Sequence, residues 1–285
     1  MARMILVTGA TGNVGSQVAR TLARSGAFVR VLTRNPDHVN LPGNVDVVRG
    51  DFTDPETLAR TADGADGIFL MLPAMDANLE EGVKRAAPHV ERIAFLSSAL
   101  VTIDASNTSF IAQRHAAVEN AIKVSGTAWT ILRPGYFAAN ALRWWLPQLR
   151  TSDVLRWPYP TARFAPIHER DMAEIAVLGL TSSAHANRVY DLTGPAAVTA
   201  AEQLEFIGRA TRRNLRFEEV TGEAGLASLS FLPPQLAQGI LASWEQATRN
   251  EPFVTQDVAR VLGKPARSFE EWASDNAAAF AKSAA

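Results

Sequence analysis

The sequence predicts an α/β fold, a doubly wound parallel sheet with a smaller, mostly helical lobe attached. Three observations predict it. Short apolar runs alternate with stretches of helical period over the first two-thirds of the chain. A loop with regularly spaced glycines stands at the first strand-to-helix junction. Beyond about Arg133 the alternation fades into a stretch of aromatics and prolines, and mostly helical patterning follows.

The strands expected in order are Met4–Thr8, Val29–Thr33, Val45–Val48, Ile68–Leu72, Ile93–Ser97, Thr130–Leu132 and Val189–Leu192. Most are apolar along nearly their whole length, as strands covered on both faces are. Helical patterning occupies Val14–Arg24, Leu58–Ala62 after a Pro55 start, and Ala112–Lys123. Alternation of this kind implies right-handed βαβ units and a parallel sheet. Trp144, Trp145, Trp157 and Tyr159 lie among Pro147, Pro158, Pro160 and Pro166, a pattern read as irregular loop. Further helices are expected at Met172–Leu180, Ala200–Thr211, Gln235–Arg249, Thr255–Leu262 and Phe269–Phe280. The expected organisation is a nucleotide-binding core over residues 1–135, with 166–194 returning to it, and a substrate-binding lobe from 136–165 and 195–285. The late strand at Val189–Leu192 makes the two interleaved. The Ala-rich C-terminus is expected to fray.

Composition narrows the function. The chain has 285 residues, 47% of them hydrophobic, enough for a substantial core. Its 28 Lys+Arg against 29 Asp+Glu give no basic excess that would suit a nucleic acid or an anionic membrane. Cysteine is absent, which excludes disulfides, thiolate catalysis and Cys-ligated metal sites. Neither a signal peptide nor an apolar run of membrane-spanning length is recognisable. A soluble, cytoplasmic protein is expected, a monomer or homodimer, with no nucleic-acid or membrane partner.

The strongest motif is Thr8-Gly9-Ala10-Thr11-Gly12-Asn13-Val14-Gly15, which follows a strand and opens a helix. Gly9 turns the chain, Gly12 lets backbone approach a pyrophosphate, and Gly15 lets the helix pack close to the sheet. The helix N-terminus offers N–H groups and partial positive charge to the phosphates. Gly9, Thr11, Gly12, Asn13 and Val14 are therefore expected to hold a dinucleotide in a Rossmann fold.

The second strand ends Val31-Leu32-Thr33-Arg34-Asn35, without the acid that grips the ribose 2′-hydroxyl in NAD-binding proteins. Arg34 can form paired hydrogen bonds to a 2′-phosphate, with Thr33 or Asn35 adding to it. The expected cofactor is thus NADP(H). After the third strand, Asp51 and Phe52 suit the adenine. Leu72 and Pro73, ending the fourth, suit the nicotinamide end, because ligands of such folds lie at the carboxyl edge of the sheet.

Together these segments resemble the NmrA-like, atypical branch of the short-chain dehydrogenase/reductase superfamily. The resemblance rests on residues 7–15, Leu32-Thr-Arg-Asn35, Gly50-Asp-Phe-Thr-Asp54, Leu96-Ser-Ser98, His115-Ala-Ala-Val-Glu119, Ser125-Gly126 and Trp129–Phe137. Tyr190-Asp-Leu-Thr-Gly194 and Phe269-Glu-Glu-Trp272 extend it over essentially the whole chain. It implies dinucleotide binding, with reactions ranging from quinone and dye reduction to redox sensing without turnover. Ordinary members of the superfamily use a Tyr-x-x-x-Lys pair on the helix after the fifth strand. Aligned through Val118-Glu119, those positions hold Ile111 and His115, and no tyrosine occurs between Ala74 and Gly135.

The resemblance implies that His115 binds the nicotinamide ribose or shuttles a proton. It implies that Ser97 and Ser98 touch substrate or cofactor, or else cap the next loop. Pro134, Tyr136 and Phe137 are expected beside the nicotinamide, Tyr136 offering a phenol and Asn140 lying one turn on. His115 and Tyr136 are the expected catalytic residues. His168 and Asp171 precede a helix, but no third ligand accompanies them, so no metal is expected and a capping role suits the acid. Trp144, Trp145, Trp157 and Tyr159 form either an aromatic wall for a planar substrate or a stacked core. The leading expectation is NADPH-dependent hydride transfer to a quinone or similar conjugated aromatic, without flavin or metal. A nucleotide-sensing regulator without turnover and a ketone or imine reductase are the alternatives.

Overall fold

The apolar, β-branched runs become strands because their side chains are covered on both faces, and the amphipathic stretches between them cover those faces. The structure, a computed structural model, describes residues 3–41, 45–72, 79–103 and 109–281. Along the chain run β1 (Met4–Thr8), α1 (Asn13–Arg24), β2 (Phe28–Thr33), β3 (Val45–Arg49), α2 (Pro55–Ala62), β4 (Gly67–Met71), α3 (Leu79–Ala86), β5 (Arg92–Leu96), α4 (Leu100–Ile103), α5 (Phe110–Lys123) and β6 (Ala128–Pro134). Then follow α6 (Asn140–Trp144), α7 (Leu146–Leu149), β7 (Val154–Trp157), β8 (Arg163–Phe164), α8 (Glu169–Thr181) and β9 (Arg188–Leu192). The last elements are β10 (Val198–Thr199), α9 (Ala200–Thr211), β11 (Arg216–Glu219), α10 (Gly222–Ala227), α11 (Pro234–Ala247), α12 (Asp257–Leu262) and α13 (Phe269–Asp275).

The chain divides into two units. The first comprises Met1–Gly135, Glu169–Leu192 and Asp257–Lys264. Its parallel seven-stranded sheet has the order β3-β2-β1-β4-β5-β6-β9. Leu6, Leu32, Ile68, Leu70, Ile93, Phe95 and Ile131 turn one face of the sheet toward Leu58, Leu79, Val83, Val118 and Ile122 of α2, α3 and α5. On the other face α1 and α8 pack together. The strand order reverses direction between β1 and β4, the place where ligands of open α/β sheets bind.

Two expectations change here. Val45–Val48 reads as a covered strand, yet β3 is a sheet edge and leaves Asp46 and Val47 exposed. Residues 257–264, expected in the second lobe, belong to the first unit, where α12 packs on α8 and β9. A hydrogen bond explains the placement: the Asp257 carboxylate accepts from the Asp191 backbone N–H at 3.0 Å.

Buried carboxylate Glu119 locks the carboxyl end of the sheet. Its residue is 1% exposed, and a bare charge there would cost several kcal/mol. Arg133 grips it with two hydrogen bonds, at 2.8 and 2.6 Å, while Ser97 Oγ donates at 2.7 Å and Lys123 Nζ at 3.0 Å. Burial pushes the Glu119 carboxyl up, but these donors outweigh it and hold it below the ordinary range. Arg133 also donates to Thr102 Oγ1 at 2.9 Å, and that hydroxyl donates to Asp191 Oδ1 at 3.1 Å. One chain of charge-assisted bonds therefore joins β5, α4, α5, β6 and β9.

The second unit comprises Tyr136–His168, Thr193–Gln256 and Pro265–Ala285. Its core collects Trp145, Leu149, Trp157, Leu204, Ile207, Trp244, Phe269, Trp272 and Phe280. The stretch expected as irregular loop instead forms α6, α7 and the short β7, which pairs in parallel with β11. Those pieces are four or five residues long, too short for either period to show in sequence. The helix expected over Phe269–Phe280 ends at Asp275 and continues as a single 3₁₀ turn, Ala277–Phe280.

Glu119→Ala should lower unfolding free energy by about 3–5 kcal/mol, because Arg133 loses the carboxylate that neutralises it. Chemical denaturation measures this, and a loss below about 1 kcal/mol would mean the pair behaves as a surface bridge. Since the folded carboxyl lies below its ordinary range, this contribution is present above that range and disappears as pH falls through the lowered value.

Candidate active site

In a parallel sheet every strand ends at the same edge, so the segments following β1 to β6 are brought together there. The first is the glycine loop. Gly9 has φ +65°, and a β-carbon on it would overlap Met71 Sδ at the end of β4. Thr8 Oγ1, fully buried, donates to the Phe69 carbonyl at 3.0 Å and fixes the loop's entry. Gly12 is the N-cap residue of α1, extended at φ −92° and ψ 173°, and the Gly12 N–H donates to the Gly9 carbonyl at 2.9 Å.

No side chain caps α1 and its first turn holds no acid, so the amides of Asn13 and Val14 remain for an outside acceptor. Thr11, Gly12 and Asn13 are exposed, whereas the Val14 side chain is buried and only its amide is on offer. Free amides at a helix N-terminus can hold an anion such as a phosphate. Gly15 has a more local duty than close packing of helix on sheet. A β-carbon there would overlap the Gly9 carbonyl, so the helix packs onto the loop itself.

Arg34 follows β2, exposed and without an ion-pair partner among the described residues. Thr33 is buried, and its hydroxyl accepts from the Asn35 N–H at 3.2 Å and so shapes the turn. Asp51 follows β3, half-buried, with Oδ1 accepting from the Thr53 N–H at 2.9 Å. Phe52 packs partly buried against the core beside it. Leu72, after β4, is also partly buried against that core, and Pro73 lies outside the described residues.

The two serines after β5 differ. Ser97 is 4% exposed and spends its hydroxyl on Glu119, which corrects the expectation that it touches cofactor or substrate. Ser98 is half-buried, and its hydroxyl accepts from the Leu100 N–H at 3.2 Å at the start of α4, the cap alternative. Pro134 is buried at the end of β6, its carbonyl accepting from the Ala99 N–H at 2.9 Å.

His115 lies one turn before Glu119 on α5. Its Nδ1 is 2.8 Å from the Ile111 carbonyl, and its ring lies 6.1 Å from that of Phe95. A carbonyl only accepts, so Nδ1 carries the proton and Nε2 of the neutral ring is an acceptor. Burial pushes the imidazole below its ordinary range, which keeps it neutral at neutral pH. A group in this state can accept a hydroxyl's hydrogen bond. It has no spare proton to give.

Tyr136, Phe137 and Asn140 belong to the second unit. The Tyr136 ring stacks on Phe164 at 4.3 Å and meets the edge of Trp144 at 5.8 Å. Burial pushes its phenol far above the ordinary range, and no cation offsets this. A phenol so held donates hydrogen bonds but releases its proton reluctantly, unlike a tyrosine paired with lysine. Phe137 forms a lone bridge with Ile167. Trp145 and Trp157 are 1% and 2% exposed and fill the core, as the stacked-core alternative has it, while Tyr136, Trp144, Tyr159 and Phe164 stay partly exposed. His168 is buried with Nε2 3.3 Å from Asp275. Asp171 stands in the first turn of α8, where an acid stabilises the helix. Among the described residues no cluster of three His, Asp or Glu suits a metal ion.

Comparison with known proteins identifies the family. A family model described as NAD(P)H-binding matches residues 9–143. The chain belongs to the NAD(P)H-binding, NmrA-like branch of the atypical short-chain dehydrogenases/reductases, and it is an NAD(P)H-dependent oxidoreductase. It is 38% identical over 283 residues to a (4-alkanoyl-5-oxo-2,5-dihydrofuran-3-yl)methyl phosphate reductase of Streptomyces griseus, covering 98% of this chain and 99% of that one. An NAD(P)H azoreductase of Xenophilus azovorans is 29% identical, covering 97% and 99%. In fold the chain is similar to an NADPH-dependent quinone oxidoreductase of Escherichia coli solved with NADPH, at TM-score 0.75 and 21% identity, covering 95% and 99%.

Sequence reading missed the Glu119–Arg133 pair and Met71 beneath Gly9. A charge on a helix face otherwise made of Val118, Ala121 and Ile122 was the available signal for the first. Nothing local announces the second.

Gly12→Val should weaken dinucleotide binding at least about tenfold while the fold survives, since the added side chain projects from an exposed, extended residue at the N-terminus of α1. Gly15→Ala should instead lower Tm, because its β-carbon strikes backbone. Fluorescence titration and thermal melts separate the two, and normal affinity in a folded Gly12→Val protein would show that the loop does not hold the pyrophosphate.

Proposed function

We propose that the protein reduces a quinone or similarly conjugated planar acceptor by direct hydride transfer from NADPH, without flavin or metal. Bound NADPH supplies the hydride. The residues of the loop, Gly9 to Val14, hold its pyrophosphate through backbone amides, and Arg34 holds the 2′-phosphate. Asp51 and Phe52 flank the adenine, Leu72 and Pro73 the nicotinamide end. Pro134 ends β6 and Ser98 follows β5 at this edge, and Tyr136 and Phe137, which belong to the second unit, are the further cofactor-binding residues of this reading.

The observation that carries the proposal is the state of His115. It occupies the position of the superfamily's lysine, Ile111 occupies that of the tyrosine, and the imidazole is neutral with Nδ1 bound to the Ile111 carbonyl. His115 then positions a ribose hydroxyl through Nε2 and does not protonate the product. Tyr136, its phenol pushed up by burial, can orient an acceptor's oxygen by hydrogen bonding but is a poor acid. An alkoxide from an isolated ketone needs an acid as it forms. A conjugated acceptor delocalises the incoming charge and takes its proton from water. The acceptors named for the relatives, a ring alkene conjugated to carbonyls and an azo group, have that property. Partly exposed aromatic rings of Tyr136, Trp144 and Phe164 suit a flat partner.

NADPH oxidation assayed against quinones, conjugated lactones, azo dyes and unconjugated ketones tests this. Conjugated acceptors should turn over faster than ketones. His115→Ala should weaken NADPH binding or slow turnover by about ten- to a hundredfold. A loss at the upper end of the 10²–10⁴-fold range of general acid catalysis would make His115 a proton donor and overturn the reading. Tight NADPH binding with no oxidation by any acceptor would favour a nucleotide sensor.

A further inference from the structure

Strand register places a second arginine, Arg49, opposite Thr33, the residue before Arg34. Parallel pairing of β2 with β3 sets Thr33 opposite Arg49, and the Gly50 N–H donates to the Thr33 carbonyl at 2.9 Å. Arg49 is thus the last residue of the neighbouring strand, and Arg34 is the first residue beyond its own. Adjacent strands lie about 4.8 Å apart, well within the reach of two arginine side chains converging on one group. Both residues are exposed.

Neither guanidinium has an acid partner among the described residues. Arg30 of β2 pairs with Asp46 of β3 at 2.9 Å, and Arg85 pairs with Glu56 and Glu81. Within the β2–β3 pair Arg30 is thus neutralised, whereas Arg34 and Arg49 have no acid partner among the described residues and lie at the carboxyl end, where a dinucleotide's adenosine half is expected. Two like charges on adjacent strand ends repel each other unless an anion lies between them.

We infer that Arg49 is the second arm of the 2′-phosphate site, closing on it from β3 while Arg34 closes from β2. The inference rests on the NADP(H) reading above and adds to it a specificity residue. A phosphate held by two guanidinium forks gains charge-assisted bonds that a ribose hydroxyl cannot match. Arg49 would therefore act only on phosphate-bearing ligands.

The test is equilibrium binding, by fluorescence or calorimetry, of NADPH, NADH and 2′,5′-ADP to the unaltered protein and to Arg34→Ala, Arg49→Ala, Arg49→Lys and the double alanine variant. Arg49→Ala should weaken NADPH and 2′,5′-ADP about tenfold and NADH by less than about twofold. Arg49→Lys should recover part of the loss, and the salt dependence of NADPH binding should flatten in the alanine variant. Unchanged NADPH affinity in Arg49→Ala, with the preference lost in Arg34→Ala, would overturn the role of Arg49 and leave that of Arg34 standing. Equal losses for NADPH and NADH would overturn it too, by showing a structural effect. No preference for NADPH in the unaltered protein would remove the 2′-phosphate reading itself.

Discussion

The buried Glu119–Arg133 pair is the constraint on which the carboxyl edge of the first unit's sheet depends. His115 lies one helical turn before Glu119 on α5, Pro134 follows Arg133, and Ser97 donates to the same carboxylate. A carboxylate with two donors on one oxygen and two on the other admits little rotation, so α5 cannot turn about its axis without breaking charge-assisted bonds. Through Thr102 and Asp191 the chain reaches β9 and, by the Asp257 carboxylate, α12. Burial also pushes the Asp191 carboxyl up. Charge in this region is carried by Glu119 with Arg133 and Lys123. His115, beside them, is kept neutral.

That neutrality links structure to chemistry. In an enzyme that protonates a ketone oxygen, a cation lowers the pKa of a phenol poised to give its proton. Here burial acts the other way on both candidate groups, raising Tyr136 and lowering His115. Both remain uncharged hydrogen-bonding groups across the neutral range. A histidine so held suits the orienting role proposed for it above, in which proton delivery falls to solvent.

Much of the fold was legible in the sequence, because a parallel sheet writes itself in apolar runs and a nucleotide loop in glycine spacing. All seven sheet strands were recognisable, as were α1, α5 and α9. The illegible parts share a physical reason: what decided them was distant in sequence. A piece such as β7 is held by a partner some sixty residues away, its pairing with β11, and just before it the Asp153 carboxylate accepts from Arg213. Ser97 looked like a ligand-facing residue at a strand end until its hydroxyl was seen to serve Glu119. Arg49 carried no signal in one dimension, since only register sets it beside Arg34.

The most direct test of the account follows the hydride. NADPH carrying deuterium at nicotinamide C4 is incubated with the protein and a conjugated lactone, and the product is examined by mass spectrometry and NMR. The account predicts one deuterium on the β-carbon of the reduced alkene, retained in ordinary water with no flavin added. Reduction without deuterium on carbon, or NADPH bound and left unoxidised, would contradict direct transfer to a conjugated acceptor.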